Sequence, residues 1–191
     1  MIAWVAAAAL AGDVAEPPRE RRPVDVVLRG MIERWEDPAL ATVYASGVWA
    51  GGAGLVAPVI GPIDLDVELA FARLKGEGTT FEVAPLSLMP EIGAPMGPVR
   101  GYLGLGPTWT VFGERVDDGS RSVTGARIAA ELRAGLRADT GLVRPPMAPA
   151  NAGPVRRIDV EIYVGRRSQL SGGDGFHLGA WRASAGLALC L

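Results

Sequence analysis

Few residues of this chain have the types and spacing that catalysis or metal binding requires. His177 is the single histidine, and Ser168 and Ser171 lie near it in sequence, but no motif joins them into a nucleophile–base pair. The sequence has no zinc-ligand spacing, no phosphate-binding glycine loop and no dinucleotide-binding motif. The segment SGGDG (171–175) could hold calcium, although it is more typical of a flexible turn. Cys190 is the single cysteine. We therefore predict a protein that is not an enzyme and has no cofactor and no metal site.

The residues that could act together are carboxylates and arginines that recur at every second position. In residues 63–71 (IDLDVELAF), apolar residues occupy the odd positions, and acids or alanine occupy the even ones. A helix would scatter the three acids around its circumference, whereas a strand places them on one face. The same alternation in other segments predicts one charged face and one apolar face.

We predict a charge network on the charged face. Its members are Arg29, Glu33, Asp64, Asp66, Glu68, Arg100, Arg127, Glu131, Arg133, Arg137, Asp159, Glu161 and Arg182. With Asp25 the set has eight acids and six arginines, so most charges can pair, as buried ions must. Arginine suits this purpose because its planar fork matches a carboxylate, and Lys75 is the only lysine in the chain.

Alternating segments occur eight times, separated by turns rich in Gly and Pro. They span residues 24–35, 42–57, 63–71, 81–89, 99–112, 126–137, 157–164 and 181–191. Segment 126–137 has helical propensity, but the seven other segments favour a strand there too. In 81–89 the phase shifts after Pro85, which predicts a bulge or an edge irregularity. Regular strands with such turns predict an all-β barrel or sandwich.

Hydropathy and segment length decide which face meets lipid. The mean hydropathy is +0.22 over 191 residues, yet no stretch has the roughly 18 apolar residues that a spanning helix needs. The alternating segments are about 9 to 14 residues long, which suits tilted transmembrane strands. Four tryptophans near segment ends predict an aromatic belt at the membrane interface. They are Trp35, Trp49, Trp109 and Trp181. A soluble periplasmic lipocalin-like barrel with an apolar ligand inside is the alternative.

The N-terminal part differs in composition from the rest. Residues 1–11 are apolar and end in Ala9-Leu10-Ala11, which predicts a signal peptide, with a short buried helix as the alternative. Residues 12–22 form a polar leader rich in Pro, Arg and Glu, and the barrel domain would be 23–191. The net charge of −2, without clustered basic residues, argues against a nucleic-acid partner.

The segment VRGYLGLGPTWTVF (99–112), followed by a Gly/Asp loop, GARIAAELRAGLR and IDVEIYV, resembles small bacterial outer-membrane β-barrels of the OmpA/OmpX/OmpW-like class. The resemblance covers roughly residues 23–191. It implies a monomeric, eight-stranded antiparallel up-and-down transmembrane barrel in the outer membrane. The implied partners are outer-membrane lipid, lipopolysaccharide and the barrel-assembly machinery. Two features depart from the class: the chain ends in Leu191 instead of an aromatic residue, and 138–154 is long for a periplasmic turn.

The interior of such a barrel determines whether it conducts. Eight strands enclose a space about wide enough for side chains alone. We therefore predict a polar, plugged lumen. The resulting functions are a structural or surface-loop role, or limited passage of small molecules.

Overall fold

The computed structural model describes residues 24–44, 47–76, 78–140, 157–171 and 177–190, which form a closed barrel of eight antiparallel strands. The strands are β1 (Asp25–Trp35), β2 (Gly47–Ile60), β3 (Ile63–Gly76), β4 (Thr79–Met96), β5 (Val99–Val116), β6 (Ser122–Asp139), β7 (Arg157–Ser171) and β8 (Ala180–Cys190). A short helix, α1 (Pro38–Tyr44), lies between β1 and β2. Each strand pairs with the next in sequence, and β8 pairs with β1 to close the sheet. The predicted eight-stranded up-and-down barrel is confirmed, including the strand interpretation of 126–137.

Four predicted segments lie outside the described residues, wholly or in large part. They are the signal peptide at 1–11, the polar leader at 12–22, residues 141–154 of the long connection predicted at 138–154, and residues 172–175 of the SGGDG segment.

The two ends of the barrel are distinguished by the path of the chain. We call the end where β1 begins and β8 ends the terminal end, and the opposite end, where α1 joins β1 to β2, the loop end. Short turns at the terminal end contain Gly61 and Gly97, whose φ angles of 55° and 67° favour glycine. Strand β6 ends and β7 begins at the terminal end.

The outer wall is largely apolar, whereas the interior is charged from its centre to the terminal end. Ile128, Leu105 and Val160 are exposed on the outer wall, whereas Glu131 and Arg133 have no exposed surface inside. This polarity suits a wall surrounded by lipid. The alternative of a soluble lipocalin-like barrel is wrong, because the alternating apolar face points outward and the alternating acids and arginines point inward. Among the described residues, no helix is both long and apolar enough to cross a membrane.

Strand β4 alternates between the two faces without a break. The predicted phase shift after Pro85 is wrong, since the pairing of β3 with β4 keeps one register along both strands. Phe81 and Val83 face inward near the loop end, and Glu91 faces inward near the terminal end. The inner face therefore changes from apolar to charged along one strand, which produces the apparent shift in the sequence.

Helix α1 was not predicted, because residues 42–57 formed one alternating segment. Strand β2 begins only at Gly47. The carboxylate of Asp37 accepts hydrogen bonds from the backbone N–H groups of Ala39 (2.7 Å) and Leu40 (3.3 Å). This N-cap, followed by proline at the first helical position, explains where the helix starts.

Candidate functional site in the barrel interior

Glu68 on β3 lies at the centre of the interior, where three arginines converge on it. Its carboxylate oxygens lie 2.8 Å from Arg29 Nη1, 3.0 Å from Arg133 Nη2 and 3.2 Å from Arg182 Nη1. The hydroxyl of Tyr163 donates a further hydrogen bond of 3.2 Å. Only 1% of Glu68 is exposed. These contacts join β1, β3, β6, β7 and β8 across the lumen.

The network extends from this centre toward the loop end. Arg182 Nε lies 2.6 Å from Glu33 Oε1, and Arg182 Nη1 lies 2.9 Å from Glu131 Oε1. Arg167 contacts the second oxygen of Glu33 at 2.8 Å. Thr108 donates to Glu131 at 3.0 Å. Each carboxylate is thus shared between partners on different strands, so the contacts form a continuous cross-link.

The network also extends toward the terminal end. Glu161 accepts from Arg29 at 2.9 Å and from Arg137 at 2.9 Å, one arginine at each of its oxygens. Tyr102 donates a hydrogen bond of 2.5 Å to Glu161. Arg137 also contacts Glu91 Oε2 at 2.9 Å. Four strands, β1, β4, β5 and β6, are joined to β7 in this way.

A small cavity opens at the terminal end. It has a volume of about 210 Å³ and is lined by Asp25 together with residues of other strands. Asp64 pairs with Arg100, and Asp159 lies 2.8 Å from Arg157. The cavity therefore lies in front of the buried network and is itself lined by ion pairs.

The loop end of the interior is filled by apolar side chains under α1. The cluster comprises Met31, Trp35, Leu40, Tyr44, Val48, Ala50, Ala70, Ala72, Leu74, Phe81, Val83, Phe112, Leu178 and Ala180. We call it the apolar cap. The Phe81 ring lies 5.4 Å from the Tyr44 ring and 5.9 Å from the Phe112 ring, measured between centroids. Burial, with a hydrogen bond that Tyr44 donates to Glu114, raises the pKa of Tyr44.

Asp37 holds the last loop against α1. Besides capping the helix, its carboxylate accepts a hydrogen bond of 2.5 Å from the backbone N–H of His177. Burial alone would raise the pKa of Asp37, but the backbone N–H groups of His177, Ala39 and Leu40 hold it below its ordinary value. One carboxylate thus connects the two segments that cover the apolar cap.

Most predicted network residues face the interior and contact one another. Arg127 faces inward as well, but its guanidinium lies 5.4 Å from the centroid of the Phe112 ring and donates to a backbone carbonyl, so among the described residues it does not join the ion pairs. Arg100 and Asp159 line the cavity at the terminal end and pair there with Asp64 and Arg157, apart from the central network, although Asp159 itself is buried. Glu91 and Arg167 were missed, because the predicted segments ended at residues 89 and 164 while the strands continue.

The tryptophans divide between the two faces. Trp49, Trp109 and Trp181 are exposed on the outer wall, by 76%, 40% and 54%, and we call them the outer tryptophans. The prediction for Trp35 is wrong, because this side chain is buried in the apolar cap. Its position two residues after inward-facing Glu33 is the signal that would have assigned it to the interior.

The described residues show no arrangement for catalysis or metal binding. His177 is exposed in a loop, and Ser168 is exposed on β7. No group of three His, Cys, Asp or Glu side chains in the described part of the chain could hold a metal ion. The chemistry that the interior offers is mutual neutralisation of buried charges.

Comparisons with known proteins identify the fold. No family model and no curated protein matches the sequence. Among solved structures, Neisserial surface protein A is similar with a TM-score of 0.66 and 11% identity, over 88% of this chain and 97% of that one. The outer membrane protein OprG of Pseudomonas aeruginosa has a TM-score of 0.57 and 12% identity, over 90% and 97%. Ail of Yersinia pestis has a TM-score of 0.54 and 13% identity, over 88% of this chain and 99% of that one. The chain thus has the fold of eight-stranded outer-membrane barrels.

Proposed function

We propose that this protein is a closed, non-conducting barrel of the outer membrane, whose role lies in its surface and not in transport or catalysis. The observation that carries the proposal is the burial of the charges at the centre. Glu131, Arg133 and Arg167 each have no exposed surface, although they lie inside the barrel. Since water does not reach these side chains, it has no continuous path along the barrel axis. Hydrated ions therefore have no such path either.

The apolar cap supports closure independently of the ion pairs. It fills the interior at the loop end, and α1 lies over it. A solute entering from the terminal end would meet the buried network, and one from the loop end would meet the cap. Limited passage of small molecules is therefore the weaker of the two predicted functions.

A surface role fits what remains exposed. Two of the similar structures are named as a surface protein and as an attachment and invasion protein. We propose a structural or adhesive role for the loop end, in a monomer that is surrounded by outer-membrane lipid and lipopolysaccharide and inserted by the barrel-assembly machinery. No catalytic activity is part of the proposal.

Conductance in planar lipid bilayers tests closure. We expect the refolded full chain to give no stable conductance, whereas Arg133→Ala, which removes a side chain from the central network, admits ions. Arg73→Ala, on the outer wall, is the matched control and stays silent. The shift in gel migration between unheated and boiled samples shows that each variant is folded. A stable conductance of the unmodified protein would overturn the proposal.

A further inference from the structure

Side-chain N–H groups without an acceptor occur where the buried network meets the apolar cap. They are the Nε–H of Arg127, the Nε–H of Arg167 and the indole N–H of Trp35, and none of the three has a hydrogen-bond partner among the described residues. Arg167 has no exposed surface and Trp35 is 5% exposed, so bulk water does not reach them. A buried donor without an acceptor destabilises the folded state, so three of them in one region require a partner from elsewhere.

The three side chains meet around Thr110, a buried residue on β5. Nη1 of Arg167 lies 3.5 Å from the Thr110 hydroxyl oxygen. Arg127 on β6 lies directly opposite Thr110 in the sheet, so their Cα atoms are about 5 Å apart. The guanidinium carbon of Arg167 lies 6.0 Å from the centroid of the Trp35 indole. Donors from β1, β6 and β7 therefore share one region of the lumen, on the loop-end side of the network.

Arg127 also carries a positive charge that no carboxylate balances. Its guanidinium lies over the Phe112 ring and donates to the carbonyl of Ala126, and no carboxylate of the described residues lies within ion-pair distance of it. Glu114, an inward carboxylate nearer the loop end, accepts the hydroxyl of Tyr44 instead.

The neighbouring part of the network has no spare carboxylate for Arg127. From the centre to the loop end, the network consists of three carboxylates and three arginines. They are Glu33, Glu68, Glu131, Arg133, Arg167 and Arg182. A water molecule could accept hydrogen bonds from the three N–H groups, but it could not neutralise the charge of Arg127. An anion does both.

The donors that remain suit a monatomic anion better than an oxyanion. Both terminal nitrogens of Arg167 are engaged, Nη1 with Thr110 and Nη2 with Glu33 at 2.8 Å. Arg167 therefore offers a single N–H group, whereas phosphate and carboxylate groups are bound best by two parallel N–H groups of one guanidinium. The indole of Trp35 also has only one N–H group. A halide ion is spherical and accepts single donors from several directions.

We propose that Arg127, Arg167 and Trp35 form a chloride-binding site inside the barrel, between the buried network and the apolar cap. The ion accepts the three N–H groups and neutralises Arg127. It joins β1, β6 and β7 at the level where the ion pairs end. The site is separate from the proposed function, because it does not depend on whether the barrel conducts.

Equilibrium unfolding of the full chain by urea, in vesicles of uncharged phospholipid at several chloride concentrations, tests the site. Gluconate replaces chloride, so that the ionic strength stays constant. A ligand that binds only the folded state lowers the unfolding equilibrium constant in proportion to its concentration, once that concentration exceeds Kd. Above Kd, we therefore expect each tenfold increase in chloride to lower this constant by about tenfold, and bromide to act in the same way.

Two variants each remove one donor from the site. Arg127→Gln removes the unbalanced charge, and Trp35→Phe keeps an aromatic ring but removes the N–H group. We expect the chloride dependence to disappear in Arg127→Gln and to weaken in Trp35→Phe. Arg115→Gln is the matched control, because it removes an exposed cation near the same end of the barrel, and it should keep the full dependence. The gel-migration shift shows that each variant has folded.

The possible results separate a bound ion from a general salt effect and from water. Equal chloride dependence in Arg127→Gln and in the unmodified chain would overturn the site, because it would show a general salt effect. Unfolding that does not respond to chloride in the unmodified chain would also overturn it, because an uncharged partner would then suffice. Crystals grown in bromide locate the ion by anomalous diffraction. A peak within hydrogen-bond distance of Arg167 Nε and the Trp35 indole nitrogen supports the site, and peaks only elsewhere overturn it.

Discussion

Replacing Glu68 by glutamine should destabilise the barrel more than any comparable change on its surface. The substitution keeps the shape of the side chain but removes the charge that faces Arg29, Arg133 and Arg182 at 2.8, 3.0 and 3.2 Å. The four side chains are almost fully buried, so water cannot replace the lost carboxylate. Removing one partner of a buried ion pair costs about 3 to 5 kcal/mol, and we expect a loss of unfolding free energy in that range.

Equilibrium unfolding by urea in phospholipid vesicles, followed by tryptophan fluorescence, measures this loss. Glu82→Gln is the matched control, because Glu82 is half-exposed on the outer wall and lies 3.4 Å from Arg73. Exposed pairs contribute up to about 1 kcal/mol, so this variant should stay within that limit. If Glu68→Gln also stayed within 1 kcal/mol of the unmodified protein, the buried network would not hold the barrel together.

The remaining predictions concern the wall, the loop end and the tryptophans. A Cβ at Gly106 would lie 1.9 Å from the carbonyl oxygen of Leu88, so Gly106→Ala should lower the urea midpoint strongly, by more than the roughly 1 to 3 kcal/mol of ordinary overpacking. A Cβ at Gly51 would meet no atom within 4 Å, so Gly51→Ala should leave the urea midpoint unchanged. Equal midpoints for the two variants would contradict the close approach at Gly106. Because folding lowers the pKa of Asp37, its contacts stabilise the loop end at pH values above its ordinary pKa of about 3.9. This stabilisation is lost as the pH falls through the pKa of the folded state. The protection of the capped amides from hydrogen exchange, taken relative to the intrinsic rate at each pH, should therefore fall in acid, and Asp37→Asn should remove that pH dependence. Identical protection profiles for the two proteins would refute the reasoning. Brominated lipids should quench single-tryptophan variants that retain an outer tryptophan but not one that retains Trp35, and quenching of Trp35 would place it on the wall.

The alternation of apolar and polar residues, with a period of two, predicts most of the fold. In residues 63–69 of β3 and in β7 the acids and the aliphatic residues lie on opposite faces, because this part of each strand has lipid on one side and paired charges on the other. The alternation fixes which residues face inward, and it assigns Glu68, Glu131 and Arg133 correctly. It therefore also predicts the strand at 126–137, where propensity alone favours a helix.

The pattern fails where the interior itself changes character. Near the loop end the inner face is apolar, so Phe81 and Val83 resemble lipid-facing residues although they lie in the apolar cap. Trp35 was assigned to the membrane interface because it ends an alternating segment, although its side chain lies in the apolar cap. Helix α1 was missed because residues 36–38 have the composition of a turn and residues 42–44 were assigned to the following strand segment.

The pairing of charges cannot be deduced from alternation. Arg29 on β1 contacts Glu68 on β3 and Glu161 on β7, neither of which is adjacent to it in the sheet. Which residues meet across the lumen depends on strand tilt and on the height of each residue along the axis. The sequence of a single strand determines neither its tilt nor the height of its residues along the axis. The sequence therefore predicts the members of the network but not their contacts.

The partners of each buried charge therefore constrain how the chain enters a bilayer. A hairpin of β1 and β2 inserted alone would carry Arg29 into hydrocarbon with its carboxylates still outside, and a hairpin of β7 and β8 would do the same with Arg182. An unpaired ion in hydrocarbon has a high free-energy cost, whereas in the closed barrel its carboxylate partners neutralise it. Insertion and closure of this barrel must accordingly occur as one concerted event, with the strands brought together before any of them crosses the membrane.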